Sequence, residues 1–373
     1  MKVLMVEHFL PESRYTLELA KELQKEVDLT LLTKKNAGDV SELNSCKKKL
    51  YPGDRPKVLE VFDYVESTIV LLRELNRKYD VVHIQFFKKD SIEIPIYIRD
   101  KKRHKNRIYV YTVHNVLPHE EKESDRKLYG EFYETCDVLI AHNERTRKQL
   151  VEDFNISESK IVITPHGILG DFVPAEKKID KKVNFLIFGI VRKYKGIDIL
   201  LHAISCLSAE TRAKCRFTVA GKQTPKMDST DYVALAKELG VEDCVHFELR
   251  RIEDEELPDL FSGTDVCVFP YREIYGSGAL LMAYKYQTPV IVSDVPAFIE
   301  ETDDGKTGLL FKSENPESLA KAIEQFVEMS QEQREEYSHN IEKLVKEKYN
   351  WQSSAKKTTE AYKQALKRIG TKA

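Results

Sequence analysis

The chain has 373 residues, of which 42% are hydrophobic and 32% are charged, and its formal net charge at pH 7 is −2. This length exceeds one ordinary hydrophobic core and predicts two domains. The balanced charge gives no indication of nucleic-acid binding, no apolar run has the length of a membrane span, and the first ten residues do not resemble a signal peptide, so we expect a cytoplasmic protein.

The first half of the chain alternates apolar runs rich in Val, Ile and Leu with amphipathic helical patterns at 15–26 and 143–154. Continuous apolar strands separated by helices predict a parallel sheet that helices cover on both faces. The predicted strands are KVLMV (2–6), VDLTLLT (27–33), YDVVHIQF (79–86), RIYVYTVHN (107–115), CDVLIAHN (136–143) and KIVITPHG (160–167).

Three basic runs also lie in this half: CKKKL (46–50), FKK (87–89) and DKKRHKNR (100–107). Runs of this kind are usually solvated faces. The alternative is a basic patch that meets anionic lipid head groups or phosphates, as at the surface of a membrane.

The polar stretch GDFVPAEKKIDKK (170–182) predicts a linker, after which strands and helices alternate again. The predicted strands are VNFLIFG (183–189), CRFTVAGK (215–222), CVHFEL (244–249), DVCVFP (265–270), PVIVSD (289–294) and GLLFK (308–312). The helical patterns lie at 196–208, 232–240, 316–329, about 331–348 and 352–369. We therefore expect an α/β protein of two Rossmann-like, doubly wound domains that face each other across a cleft, with ligands beyond the carboxyl ends of the strands.

The six cysteines are spread along the chain without any CxxC pair. This spacing predicts reduced thiols in the core, no disulfide bond and no metal site. They lie at positions 46, 136, 206, 215, 244 and 267.

Cations follow two predicted strands of the second half. Arg192 and Lys195 come after VNFLIFG, where Gly196 opens a helix, and Lys222 comes after CRFTVAG. Cations at a helix N-terminus suit a diphosphate. A basic loop capped by glycine is the equally ordinary interpretation.

The strand DVCVFP is followed by YREIYGSG and then by an apolar helix without acidic residues. Gly276, Ser277 and Gly278 at the start of this helix can form an anion-binding nest. They are otherwise a glycine-rich turn, which is common in βα units.

Two histidines of the first half also lie at predicted strand ends. His114 is followed by Asn115 in YTVHN, and His166 precedes Gly167 in TPHG. A lone histidine is more often structural than catalytic, but both positions favour contact with a ligand. No GxGxxG follows the first strand, which argues against a dinucleotide dehydrogenase, and neither a Walker A motif nor a GxSxG elbow is present.

Together these motifs resemble the family 4 glycosyltransferases, which have the two-domain GT-B fold. The resemblance extends over nearly the whole chain and is strongest in FGIVRKYKGIDILLHAI and in TPVIVSDVPAFIEETDDGKTGLLFKSENPESLAKAI. It implies an acceptor-side domain at 1–170, a nucleotide-sugar-binding domain at 171–349, and a final segment, 350–373, that packs back on the first domain.

The resemblance also implies roles for the strand-end residues. Lys195 matches the lysine that holds the donor diphosphate, and His114 matches the histidine near the reacting centre of the donor sugar. The family's arginine usually stands at the position of Ile190, and Arg192 is the nearest substitute here. The remaining candidates for donor binding are Lys222, Glu273, Gly276, Ser277, Gly278 and His166.

The chain departs from the family pattern at two acidic positions. The family usually has two glutamates here with seven residues between them, and counting back from TPVIVSD puts them at Ile274 and Met282. Glu273 is one residue early for the first acid, and nothing replaces the second. We expect Gly276–Gly278 to hold the phosphates through backbone N–H groups, and another part of the chain to bind the ribose. Glu300 falls near a glutamate that is common after the family's SD strand.

The resemblance implies a retaining, metal-independent transfer of a hexose from a UDP- or GDP-linked sugar to a saccharide or lipid-linked saccharide, within glycan or polysaccharide biosynthesis. No cofactor is expected, and peripheral contact with an anionic membrane at its inner face is a weaker expectation. The alternatives are a catalytically silent subunit that binds a nucleotide sugar or a partner enzyme, and a nucleotide-sugar epimerase on the same fold.

Overall fold

The computed structural model describes residues 1–370 except for residues 12, 52–56, 118–122, 179 and 275, and for 57–59 it describes the backbone only. The chain forms two compact units. The first comprises Met1–Gly167 together with Lys348–Ala373, and the second comprises Ile168–Glu347.

The first unit is built on one sheet in which every described pairing is parallel. Its strands are β1 (Lys2–Val6), β2 (Asp28–Lys34), β3 (Cys46–Leu50), β4 (Val81–Ile84), β5 (Ile108–Thr112), β6 (Val138–Ala141) and β7 (Ile161–Ile163). They lie in the order β3-β2-β1-β4-β5-β6-β7. Every residue of β4, β5 and β6 is buried, which explains why these strands are continuous apolar runs in the sequence.

The helices of the first unit connect these strands. They are α1 (Tyr15–Leu23), α2 (Lys57–Leu75), α3 (Asp90–Arg103), α4 (Glu123–Thr135) and α5 (Glu144–Phe154), and the last helix of the chain, α14 (Trp351–Gly370), belongs to the same unit. The ends of α5 show how local sequence sets these bounds. The Asn143 side chain caps the first turn by accepting from the Thr146 N–H, and Asn155 ends the helix in the left-handed conformation.

The helix α14 packs against α1 and also contacts β5, β6 and β7. One of its side chains binds the loop after β7 and another binds β4: the Ser354 hydroxyl donates to the Pro165 carbonyl at 3.0 Å, and the Tyr362 hydroxyl lies 2.6 Å from Nδ1 of His83. The C-terminal helix is therefore part of the first unit's core and supports the carboxyl ends of its strands.

The second unit contains a second parallel sheet. Its strands are β8 (Val183–Phe188), β9 (Cys215–Ala220), β10 (Val245–Glu248), β11 (Val266–Phe269), β12 (Val290–Ser293) and β13 (Gly308–Phe311). They lie in the order β10-β9-β8-β11-β12-β13, and each described pairing is parallel. The helices are α6 (Ile197–Cys206), α7 (Ala209–Ala213), α8 (Tyr232–Glu238), α9 (Leu257–Ser262), α10 (Gly278–Lys285), α11 (Pro296–Glu301), α12 (Pro316–Glu328) and α13 (Gln331–Glu347). The predicted fold class, an α/β protein of two doubly wound, Rossmann-like domains, is confirmed.

Three details of the sequence interpretation change. The basic run CKKKL is the strand β3 at the edge of the first sheet, with Lys48 and Lys49 exposed. All six cysteines are free, but Cys206 is exposed and Cys46 is half-buried, so only the other four lie in the core. The segment 170–182 is tied to the second unit, because the Val173 N–H donates to the Lys285 carbonyl.

None of the helices in the described part of the chain combines the length and the apolar character needed to cross a bilayer.

Candidate functional site

The loops that follow β8 and β11 lie side by side, because these two strands are neighbours at the point where the strand order of the second sheet reverses. The first loop runs from Gly189 to Gly196, and the second from Pro270 to Ser277. Doubly wound sheets bind their ligands in the crevice outside such a reversal. The second unit therefore brings the predicted cations and the predicted glycine-rich turn to one place.

Two contacts hold these loops together. The Arg272 guanidinium binds both carboxylate oxygens of Asp198, at 2.6 and 3.2 Å, and also donates to the Lys193 carbonyl at 2.7 Å. Gly196 has a left-handed φ of 67°, and a Cβ there would lie 1.9 Å from the Pro270 carbonyl oxygen. Only glycine permits this close approach of the two backbones.

Lys195 is buried in the first loop and is only 5% exposed. Its Nζ donates to the Phe188 carbonyl at 3.3 Å and lies 5.3 Å from the centroid of the Tyr271 ring. Burial, followed by the nearby charge of Arg192, lowers the pKa of Lys195 to about 8. A buried ammonium group with so few partners is stabilised by an anionic ligand.

The start of α10 lies beside this ammonium group. A Cβ built on Gly189 would lie 2.8 Å from the Lys195 Nζ and 3.7 Å from the Cβ of Ala279, so both border the same glycine. The Ser277 hydroxyl caps the helix by accepting from the Leu280 N–H at 3.1 Å. A Cβ on Gly278 would meet no heavy atom within 4 Å, so the space beside the first turn is open. The helix N-terminus and the ammonium group together suit an anion the size of a phosphate.

A carboxylate that sequence reasoning missed lies beside this turn. Oε1 of Glu301, the last residue of α11, would lie 3.5 Å from a Cβ built on Gly276. The sequence pattern pointed to its neighbour Glu300. No local signal distinguishes the two, because Glu301 reaches the turn from a different element.

The other predicted donor-binding residues are more peripheral. The side chains of Arg192, Lys222 and Glu273 are exposed. The strand end that includes Lys222 flanks the Lys195 loop, because the Lys222 carbonyl accepts from the Val191 N–H at 3.0 Å. Ile274, at one of the two positions where the family has an acid, is buried. Glu273 thus belongs to the same loop as Ile274 but projects to solvent.

In the first unit the strand order reverses between β1 and β4, and a cavity of about 320 Å³ lies at this end of the sheet. Most of its lining is aromatic, with one cation and one acid. The lining residues are Phe9, Phe86, Phe87, Lys88, Asp90, Tyr111, His114, Asn115, Leu117 and Tyr129. Aromatic faces together with a few polar groups are typical of a small-molecule site.

His114 is held at the edge of this cavity by stacking and by a chain of hydrogen bonds. Its ring stacks on Phe86, with centroids 4.0 Å apart, and its Nδ1 lies 3.3 Å from Nε2 of His142. Nδ1 of His142 lies 3.0 Å from the Thr164 carbonyl, so this nitrogen must bear the proton. Nε2 of a neutral His142 is then an acceptor, and Nε2 of His114 lies 3.4 Å from the Gln85 side-chain oxygen, so both ring nitrogens of His114 have a partner within the cluster.

His166 and His142 belong to the same cluster through Tyr15. The Tyr15 ring centroid lies 4.9 Å from those of His114 and His166 and 5.0 Å from that of His142. The structure thus brings together the two predicted histidines. It adds His142, which follows β6 directly as His114 follows β5 closely, so the same strand-end pattern could have identified it.

The histidines of the cluster are held neutral. Burial lowers the pKa of His114 well below its usual value, and the neighbouring histidines lower it further. Burial lowers the pKa of His166 to about 4 and also lowers that of His142. At neutral pH the cluster can therefore orient a ligand through hydrogen bonds without contributing positive charge.

Both halves of the sequence match known family models. Residues 171–344 match the glycosyl transferases group 1 model, and residues 13–169 match the glycosyltransferase family 4 model. A similar curated protein is an uncharacterized glycosyltransferase of Methanocaldococcus jannaschii, 27% identical over 79% of this chain and 77% of its own. Another is the D-inositol 3-phosphate glycosyltransferase of Corynebacterium urealyticum, 25% identical over 94% of this chain and 89% of its own.

Solved structures with the same fold include the sucrose-phosphate synthase of Thermosynechococcus elongatus, with a TM-score of 0.75, 17% identity and coverage of 99% of this chain and 100% of its own. HepE of Anabaena in complex with UDP and glucose has a TM-score of 0.74 and 13% identity and covers 98% of this chain and 100% of its own. At these identities the similarity shows the fold, which is that of GT-B glycosyltransferases.

Proposed function

The chain belongs to glycosyltransferase family 4, and from this premise we propose that it transfers a hexose from a UDP- or GDP-linked sugar to a saccharide or lipid-linked saccharide. We propose retention of the anomeric configuration, independence of metal ions, and a role in glycan or polysaccharide biosynthesis. We also propose that the protein acts in the cytoplasm and makes peripheral contact with an anionic membrane.

The observation that supports donor binding most directly is the buried Lys195 ammonium beside the first turn of α10. It lies at the strand-order reversal of the second unit and has no carboxylate partner among the described residues. A nucleoside diphosphate supplies the missing negative charge. The complexes of HepE with UDP, with UDP and glucose, and with UDP-glucose support the same ligand class for this fold.

Positive groups at this place suit the chemistry of glycosyl transfer. When the bond between the sugar and the diphosphate breaks, negative charge develops on the leaving phosphate. Lys195 and the N–H groups at the start of α10 stabilise that charge in a partly desolvated site, and Arg192 adds a more exposed cation. These groups can act without a bound metal ion, which is the basis for proposing metal independence.

His114 has a positioning role in this proposal. His114 lines the cavity of the first unit, and the stacked Phe86 ring and the His142 nitrogen fix its orientation, so a sugar hydroxyl can replace the long Gln85 contact at its Nε2. Its lowered pKa keeps it neutral at the pH of the cytoplasm, so it does not compete with Lys195 for the diphosphate.

A silent subunit that binds a nucleotide sugar is the second candidate function. The observation in its favour is that Ile274 is buried where the family has an acid, while Glu273 is exposed. A silent subunit binds the donor but does not turn it over.

The test is thermal unfolding with UDP or GDP, without metal, for the wild type and for Lys195→Ala, with the exposed Lys237→Ala as control. We expect one nucleotide to raise the melting temperature of the wild type and of Lys237→Ala but not that of Lys195→Ala. A wild type that neither nucleotide stabilises contradicts the proposal. Stabilisation by UDP without any hydrolysis of UDP-sugars or transfer from them supports the silent subunit instead.

A further inference from the structure

The outer face of α2 is apolar and exposed. Five large hydrophobic side chains lie on it at helical spacing, and we call them the α2 stripe: Val61 (59% exposed), Phe62 (72%), Val65 (52%), Ile69 (44%) and Leu72 (43%). The opposite face of the helix packs into the first unit through Tyr64, Leu71 and Leu75, which are buried. The helix therefore has two apolar faces, and the fold uses only one of them.

Exposed apolar side chains are concentrated on α2. Eleven large hydrophobic side chains are exposed among the described residues, and five of them belong to the α2 stripe. Single exposed apolar side chains are ordinary on protein surfaces, whereas a contiguous stripe marks a surface that another partner covers.

The stripe lies in a part of the chain with an excess of positive charge, which comes mainly from the elements beside α2, since the exposed Glu66 of the helix pairs with Lys35 at 2.8 Å. Residues 34–107 contain 18 Lys and Arg against 11 Asp and Glu, although the whole chain has a net charge of −2. The strand β3 and the helix α3 both pack against α2. Exposed cations lie on β3, at and after the end of α2, and on and after α3: Lys48, Lys49, Arg73, Arg77, Lys78, Arg99, Lys102, Arg103 and Lys105.

We propose that the α2 stripe docks on an anionic lipid bilayer. The apolar side chains enter the boundary between head groups and acyl chains, and the surrounding cations meet the lipid phosphates. A second copy of the chain fits this face less well, because the excess of positive charge would face itself across a symmetric contact.

The docking surface adjoins the cavity of the first unit. The Tyr64 hydroxyl, on the inner face of α2, donates to Glu93 at 2.9 Å, and the Lys89 ammonium lies 4.7 Å from the Tyr64 ring centroid. Glu93 also accepts from the Lys88 N–H at 3.2 Å, and Lys88 lines the cavity. A lipid-linked acceptor could thus keep its tail in the bilayer and present its saccharide near the cavity. The docking assigns a surface to the membrane contact proposed above, and this last step rests in addition on the proposed sugar transfer.

The experiment is co-sedimentation of the full chain with vesicles of phosphatidylcholine alone or mixed with phosphatidylglycerol. The variants are Val65→Asp and the matched Val233→Asp, because Val65 and Val233 are both 52% exposed and Val233 lies on α8 of the second unit. We expect the wild type to bind the anionic vesicles, and high salt to weaken this binding. Val65→Asp should lower the partition coefficient by roughly tenfold or more, and Val233→Asp by less than about twofold.

Three outcomes would overturn the docking proposal. They are a wild type that does not bind anionic vesicles, an equal loss of binding in both variants, and a dimer in sedimentation that Val65→Asp dissociates. Thermal stabilisation by UDP and by GDP, measured in parallel, keeps the two proposals apart. A wild type that neither nucleotide stabilises would refute the proposed donor binding and leave the vesicle result standing.

Discussion

Replacing Lys195 with methionine should stabilise the folded protein while removing donor binding. Methionine has a similar length and no charge, so it fills the same space without a buried ammonium group. Lys195 is 5% exposed, and among the described residues its Nζ has one hydrogen bond, to the Phe188 carbonyl, besides the contact with the Tyr271 ring. The wild-type residue is therefore unfavourable for folding in the absence of a ligand.

The size of this effect follows from the pKa of Lys195, which burial lowers from 10.5 to about 8. At 1.36 kcal/mol per pKa unit, the charged lysine lowers the free energy of unfolding by about 3 kcal/mol. Methionine also loses the hydrogen bond and the ring contact, so we expect a net gain of about 1–3 kcal/mol.

The pH dependence of this gain has a defined sign. Between pH 8 and pH 10.5 the unfolded chain binds a proton at Lys195 that the folded chain has lost, so wild-type stability rises with pH in this window. The advantage of Lys195→Met should therefore be complete below pH 8 and should disappear as the pH approaches 10.5.

Urea denaturation of both proteins across this pH range measures the effect, and thermal unfolding with UDP measures the loss of binding. Lys177→Met is a comparison variant in the same unit, because burial of its ammonium group also lowers the pKa of Lys177 to about 8. This ammonium donates to the Phe261 and Thr264 carbonyls and to the Thr288 hydroxyl, so losing these bonds should make the gain in Lys177→Met smaller than that in Lys195→Met by about 1 kcal/mol or more. A Lys195→Met variant that is less stable than the wild type below pH 8, or that UDP still stabilises fully, would refute this reasoning.

Three further substitutions give predictions for the two units. Gly196→Ala should destabilise by roughly 2–4 kcal/mol in urea denaturation, because its Cβ would meet the Pro270 carbonyl at 1.9 Å with φ at 67°. Gly278→Ala should leave the free energy of unfolding within about 1 kcal/mol of the wild type but weaken UDP binding, since its Cβ enters open space beside the proposed phosphate site. Equal destabilisation by Gly196→Ala and Gly278→Ala would contradict the difference expected between these two glycines. In the first unit, burial lowers the pKa of His166 to about 4, so this residue contributes a loss of stability as the pH falls from 6.5 to 4. His166→Asn should show a shallower loss over that window in urea denaturation, and an unchanged slope would contradict the neutral, buried state of this ring.

The alternation of apolar strands with helices was sufficient to predict both parallel sheets except for the edge strand β3, which the basic run CKKKL forms. The strands β4, β5 and β6 are buried along their whole length, and burial on both faces produces the continuous Val, Ile and Leu runs seen in the sequence. Strand-end positions were also informative. His114, Lys195 and Ser277 all lie just beyond a strand of the described sheets, where the sequence pattern had put them.

The partnerships between loops could not be predicted, because they depend on strand order. Arg272 and Asp198 form an ion pair across the reversal between β8 and β11, although 74 positions separate them in the sequence. Likewise, the helix α2 gave no signal of an exposed apolar face, since periodicity shows that a helix is apolar but not which of its faces the fold covers.

The absence of the two family acids and the burial of Lys195 both affect the local charge at one place in the second unit. An acid at Ile274 or Met282 would add a negative charge to the loop before α10 or to α10 itself, near the positive end of the helix. The chain has neither, and an acid that borders this turn is Glu301, beside Gly276. Lys195 itself has no carboxylate partner among the described residues, so its positive charge is an excess that an anionic ligand can balance. The same excess should appear in two measurements: as the stability gained in Lys195→Met and as the stabilisation by UDP lost in that variant. If only one of these changes occurs, the lysine is not the group that binds the diphosphate.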